Sequence, residues 1–444
     1  MPRRGRPSEP GLCSPVVIAL VLLTSVIVVR FPTLFGDDAP LWASVLPAVV
    51  LGVPVTLLIV RRPRLKARPG ELMLGAAYAA LVLISFPRAA RADAVLTAQT
   101  ALSVTVVTAM VLALGVLALL SDPCPAERRR RWLAAALAPT AYVAVNVVLH
   151  LAGFAAATTV DAAEQTGRSA QVLGLIGFAS ERVRFPMASG INNFGAIAGL
   201  ALATSAMIAI RARGPLRWWA VSGCAVSFYG LLAVDSRGGL LLSLTAVAVV
   251  WLLPRVAERG VKGLPILLPM APAIILGVLG VLSGTALADA LSRDGGDFSS
   301  ATGRGEVWAT VVGYLAHPHL ADLWGYGAYG QLTSEVSFSY ASVLVGYSRP
   351  EFATAHNFAL QSVLEVGYIG AALGLALLFY CVKRTAERHA RSPSPEEGAI
   401  FAGILFVVLI GMVEAVPTIS YPDTFAAFAL LAPACLRLAP TAPT

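Results

Sequence analysis

Apolar residues in this chain come in long runs separated by short charged or glycine-rich breaks. Runs near 14–31, 41–60, 71–87, 94–120, 132–153, 187–210, 216–234, 239–254, 264–288, 357–382, 398–415 and 422–438 each approach the ~20 residues that a helix needs to cross a bilayer. The pattern predicts about twelve transmembrane helices. Backbone polar groups find no water in the lipid core, so the spans must be helical, and the alternation of barrel strands is absent. The chain therefore reads as an all-α integral membrane protein with a long extracytoplasmic loop. It divides into N-terminal transmembrane helices (1–153), central helices with a first outer loop (154–288), an extracytoplasmic loop (289–355) and C-terminal helices (356–444).

Composition agrees, with 57% hydrophobic and 13% charged residues, far from a soluble domain. Lys is confined to Lys66, Lys262 and Lys383. With abundant Ala and Arg this points to a GC-rich gene rather than to a nucleic-acid binder, so the net charge of +8 is read loop by loop. Arg61, Arg62, Arg64, Lys66 and Arg68 crowd one connection. Arg128 to Arg131, then Arg211, Arg213 and Arg217, then Arg255, Arg259 and Lys262, then Lys383, Arg384, Arg388 and Arg391 crowd others on the same side. That side, which holds both termini, is expected to be cytoplasmic.

The opposite loops carry Asp37, Asp38, Asp161, Glu164, Asp289, Asp294, Asp297, Asp322, Glu335 and Glu351. The two longest hydrophilic connections, near 154–186 and 289–355, face outward. The first helix follows Arg3, Arg4 and Arg6 but lacks a small-residue cleavage site, and reads as a retained span. Cys13, Cys124, Cys224, Cys381 and Cys435 fall in helices or on the cytoplasmic side, which predicts no disulfide, and no metal-binding Cys spacing occurs.

Four residues capable of chemistry share the outer surface. Arg184, Arg237 and Arg304 lie where the positive-inside rule makes Arg scarce, which calls for a local reason. Arg237 stands in Asp235-Ser236-Arg237-Gly238-Gly239, a connection too short to be a solvated loop, where two glycines allow a tight turn. It either snorkels to the interface, paired with Asp235, or serves a site. Arg184 leads into Pro186 and Gly190-Ile191-Asn192-Asn193, where Ser189 or Asn192 suits a helix cap. Arg304 opens a run with Val307, Val311, Val312 and Leu315 on one face, able to lie on the outer membrane surface with Arg304 at its N-terminal end.

His356 precedes Asn357, a good helix cap. Imidazole titrates near neutral pH, as a general base must, though an interfacial His packed over a helix start is the plain alternative. Glu365 falls about two turns into the span, where a carboxylate needs a partner. Nine residues from His356 it points elsewhere on the helix, so Gln361 or a neighbouring helix is the more economical partner. His317-Pro318-His319 lacks further ligands and reads as ordinary loop.

Taken together, Gly303-Arg304-Gly305-Glu306-Val307-Trp308, Gly325-Tyr326-Gly327, His356-Asn357-Phe358-Ala359-Leu360 and Glu365-Val366-Gly367 resemble the O-antigen ligase and polymerase family over roughly residues 180–415. Asn192-Asn193 departs from the Pro-Asn usual there. The resemblance implies a GT-C-like polytopic glycosyltransferase of the cytoplasmic membrane, its active site extracytoplasmic. It implies a polyprenyl-pyrophosphate-linked glycan as donor and a glycan, lipid or wall acceptor. His356 would be the general base and Arg184, Arg237 and Arg304 the pyrophosphate clamp, with Asn357, Glu365 and Asp235 in support.

No cofactor is expected, and the outer loops lack an Asp-x-Asp metal motif, which predicts metal independence. A transporter or flippase of lipid-linked saccharides is the alternative. It would place polar residues near the bilayer midplane, whereas here they gather at the outer surface.

Overall fold

The computed structural model describes residues 15–38, 40–61, 64–65, 67–89, 98–121, 124–156, 182–188, 190–258, 304–343 and 353–437. The span expected at 264–288, and Arg3, Arg4, Arg6, Cys13, Arg62, Lys66, Asp161, Glu164, Ser189, Arg259, Lys262, Asp289, Asp294, Asp297 and Glu351, lie outside these residues. Every other apolar run carries a helix: α1 (Pro15–Arg30), α2 (Leu41–Val60), α3 (Pro69–Ala89), α4 (Ala98–Leu120), α5 (Pro125–Leu151), α6 (Ile191–Arg211), α7 (Pro215–Ala233), α8 (Arg237–Glu258), α10 (Phe358–Arg391), α11 (Pro395–Gly411) and α12 (Pro422–Leu436), with α9 (Arg304–Leu315) in the connection between α8 and α10. Among the described residues six helices are long and apolar enough to cross a membrane, and Pro69–Ser85, Val106–Leu120 and Pro422–Leu436 are shorter apolar helices.

Local sequence sets many of the helix starts. Proline opens α5, α7, α11 and α12, where its missing N–H costs nothing. Ser394 caps α11 through Glu397 N at 3.2 Å, and Asn357 caps α10 by accepting from Ala359 N at 3.0 Å and Leu360 N at 3.2 Å. The start of α6 departs from expectation. Its cap is Gly190, without a side-chain bond; the helix opens at Ile191, which puts Asn192 inside its first turn, and Asn193 donates to Asp423 Oδ2 at 2.9 Å.

The interior is built on α6 and α11, apolar and buried nearly all round. Between helices in lipid, small residues permit the close approach that dispersion needs. A Cβ on Gly239 would stand 2.7 Å from the Gly195 carbonyl, and one on Gly403 2.9 Å from Leu431. This corrects the reading of Gly238-Gly239 as turn residues. Both are helical, Gly239 serves the α6–α8 contact, and the left-handed residue of the turn is Asp235 (φ 52°).

The bundle has two polar ends. At one, Arg131, Arg388 and Arg437 are buried. Arg388 donates to Ala434 O at 2.6 Å and pairs with Glu397 at 3.2 Å, while Arg437 reaches Leu119 O and Ser121 O at 3.2 and 3.0 Å. At the other, Arg30 pairs with Asp423 at 3.5 Å, and the starts of α6, α8, α10 and α12 meet the end of α11. All four site residues predicted from the sequence fall at this second end.

A family domain and its candidate active site

The first half of the site is held by the segment before α6. Val183 N donates to Ala233 O at 2.8 Å and Arg182 Nε to Val234 O at 3.0 Å. Phe185 stacks on Phe194 with centroids 4.1 Å apart, and Met187 N donates to Asn146 Oδ1 at 2.8 Å. Arg184 is thereby fixed beside the α7–α8 turn, which carries Asp235 and Arg237. Arg237 Nε lies 3.6 Å from Asp235 Oδ1.

The second half forms around His356, which is buried to 3% exposure in a left-handed conformation (φ 48°). Such strain in a non-glycine residue persists only when its surroundings over-determine it, as they do at active sites. Four ties do so here. Trp308 Nε1 donates to Ala355 O at 3.0 Å, and Ala355 N to Gln361 Oε1 at 2.9 Å. Asn357 Nδ2 reaches Met412 O at 3.1 Å, and His356 Nδ1 lies 3.0 Å from Glu414 Oε2. The other oxygen of Glu414 accepts from Arg304. A carboxylate only accepts, so Nδ1 of the imidazole is the donor, and the neutral tautomer that fits this contact has its lone pair on Nε2.

Glu414 lies in the turn beyond the end of α11. Burial favours its neutral form, but Arg304 and His356 outweigh that, and the carboxyl is held below its ordinary range. This residue escaped the sequence reading. The available signal was that it is the only charge between Glu397 and Asp423, in a run otherwise fit for the membrane.

A further network supports the site from below. Glu365 accepts from Gln361 Nε2 at 2.8 Å, from Ile419 N at 3.1 Å and from the Ser420 hydroxyl, while Gln361 Nε2 also reaches Gln331 Oε1 at 2.7 Å. It ties the start of α10 to the 412–421 turn that presents Glu414. The carboxylate is not a partner of His356.

The loop between α8 and α10 is locked to α10 by backbone. The helix breaks at Gly367 (φ 74°, ψ 177°), which frees the Leu364 and Glu365 carbonyls to accept from Tyr326 N and Gly327 N at 2.8 and 2.9 Å. Any Cβ on Gly325 would collide with Glu365 O, and one on Gly367 with Leu323 O. The helix α9 differs from expectation. Val307 and Val311 turn into a small loop core with Tyr340, Ala353 and Leu364 instead of onto a lipid surface, because the loop supplies its own apolar partners. Within that loop, burial and then the Tyr314 and Asp322 hydrogen bonds push the Tyr326 phenol well up, so it stays a neutral donor.

The fold and site thus define a polytopic helical membrane protein with a charged, strained centre at one end of its bundle. Residues 222–375 match the model of the O-antigen ligase family. Over this stretch, about a third of the chain, the protein is similar to that family. The match takes in Arg237, Arg304, His356 and Glu365, whereas Arg184 and Glu414 lie outside it. No curated protein matches the chain.

Proposed function

We propose that this protein transfers a glycan from a polyprenyl-pyrophosphate lipid to a hydroxyl of a glycan, lipid or wall acceptor on the outer face of the cytoplasmic membrane. The observation that carries this reading is the Arg304–Glu414–His356 chain, which leaves a basic imidazole nitrogen beside a guanidinium. The acceptor hydroxyl attacks the anomeric carbon as the bond to the pyrophosphate oxygen breaks. The hydroxyl proton passes to His356 Nε2, and polyprenyl pyrophosphate leaves with the bonding pair. A single displacement of this kind inverts the anomeric centre.

Arg184, Arg237 and Arg304 neutralise the charge that grows on the leaving group, a task divalent cations perform in other enzymes. Arg304 can hold Glu414 with one nitrogen and still present other donors of its five to phosphate oxygens. Glu414 orients the imidazole and stabilises it once protonated, while Asn357 and Glu365 hold its neighbours in place. Asp235 keeps Arg237 at the mouth until a pyrophosphate competes for it.

Orientation follows from charge. The end that carries Arg131, Arg211, Lys383 and Arg388 is cytoplasmic, as the positive-inside rule requires, with both termini there and about twelve spans in all. The test is to remove the gene, separate lipid-linked from surface glycan by gel and mass spectrometry, and complement with wild type or His356→Ala. Lipid-linked glycan should accumulate on the outer face and clear only with wild type, single repeats marking a polymerase and finished chains a ligase. Intermediates on the cytoplasmic face would instead mark a transporter. Transfer should persist in chelator, and a loss restored by Mg²⁺ or Mn²⁺ would end the metal-free reading.

A further inference from the structure

The outer loop hides Val307 and Val311 but leaves another apolar surface uncovered. At the corner after α9, a 3-10 turn (Leu320–Leu323) exposes Leu320 to 79%, and Trp324 beside it to 47%. Large apolar residues held out of a loop's own core need a reason when they are grouped. The backbone of Leu323 and Trp324 abuts Gly367, and the Tyr368 hydroxyl donates to Leu315 O at 3.1 Å. The corner is therefore fastened to α10 at one level.

That level is informative. Beyond its break at Gly367, the inner arm of α10 (368–391) by itself rises roughly 36 Å at 1.5 Å per residue, enough to cross ~30 Å of hydrocarbon. Its inner limit is marked by exposed Lys383, and from there to Gly367 the helix rises roughly 24 Å. Gly367 thus stands about 6 Å inside the outer edge of the ~30 Å hydrocarbon. Below it, the exposed stripe of α10 runs from Tyr368 and Ile369 through Ala372 to Phe379 without a polar side chain, as a lipid-facing stripe must. Exposed Leu320, Leu323 and Trp324 lie on the loop whose backbone abuts the top of this stripe at Gly367.

We infer that the 320–324 corner is a membrane anchor, seated at the acyl–headgroup boundary of the outer leaflet. Tyr and Trp favour that depth because each joins an apolar ring to a hydrogen-bonding tip. The anchor fixes the height of the loop, and with it the height at which α9 presents Arg304. It is independent of which glycan, if any, the centre transfers.

The test uses the full chain with Cys13, Cys124 and Cys224 changed to Ser, reconstituted in phosphatidylcholine–phosphatidylglycerol vesicles. A nitroxide is attached at Leu320→Cys, at Trp324→Cys and, as an aqueous reference, at the exposed Glu306→Cys. Power saturation then compares collisions with oxygen, which concentrates in lipid, and with a nickel chelate, which stays in water. Oxygen should win at 320 and 324 and the chelate at 306. If Trp324→Cys misfolds, the more exposed 320 position carries the test alone. A chelate advantage at 320 would overturn the anchor, and a label shielded from both reagents would overturn it equally, since a protein surface would then cover the corner.

Discussion

The two ends of the bundle bury arginine in opposite ways. At one end, Arg131, Arg388 and Arg437 close the ends of helices. Arg131 donates to Ala118 O and Ser121 Oγ, both at 2.6 Å, and Arg388 and Arg437 take helix-terminal carbonyls in the same manner. Four C-terminal carbonyls of every helix lack partners within it, so these guanidinium groups have structural work to do. At the other end, Arg304 and His356 share one carboxylate, and His356 stands in a left-handed backbone conformation. Burial of charge alone therefore does not mark a site.

This contrast is broken most directly at His356. His356→Ala should lower transfer by about 10²–10⁴-fold, the usual worth of a positioned general base, with the amount of folded protein in the membrane unchanged. Comparable loss of folded protein would make the residue structural. The opposite end should respond in reverse. Removing one partner of a buried pair costs about 3–5 kcal/mol, so Arg388→Ala should lower the thermal midpoint in detergent while the surviving folded molecules transfer at the wild-type rate.

Glu414→Gln should fall between these. It keeps a hydrogen bond to the imidazole but loses the charge, and a bond to a charged group is worth about 1.5–3 kcal/mol, or about 10–100-fold in rate. Its pH behaviour has a definite sign. Because the folded carboxyl is held below its ordinary value of 4.5, its contribution to stability is whole above that pH and is lost as pH falls through the folded value. Wild type should thus lose more thermal stability than Glu414→Gln on acidification below about pH 4.5, and parallel curves would show that the pair contributes nothing. The smallest effect belongs to Trp308→Phe, which removes one neutral bond to Ala355 O at a cost of about 0.5–1.5 kcal/mol. Activity should drop by no more than about tenfold.

The helices, and the gathering of unusual residues between them, were legible from the chain because bilayer thickness imposes a length on each apolar run. Charge asymmetry was legible for a similar reason, since each loop carries its own signal. Asn357 was readable as a cap because capping is local. The motifs around Arg304 and His356 stood out only through their resemblance to a family.

Glu414 was not legible, as its role depends on the end of α11 meeting the starts of α9 and α10, which are remote in sequence. The corner at Leu320 escaped for the converse reason. An apolar residue in a hydrophilic loop is indistinguishable from loop core until packing shows that Val307 and Val311 occupy that core. Sequence by itself determined the class of solvent each segment can tolerate, because transfer from water to lipid is nearly additive along a helix. Only tertiary structure decided which polar groups share a partner, because hydrogen bonding at 3 Å depends on positions that no local pattern encodes.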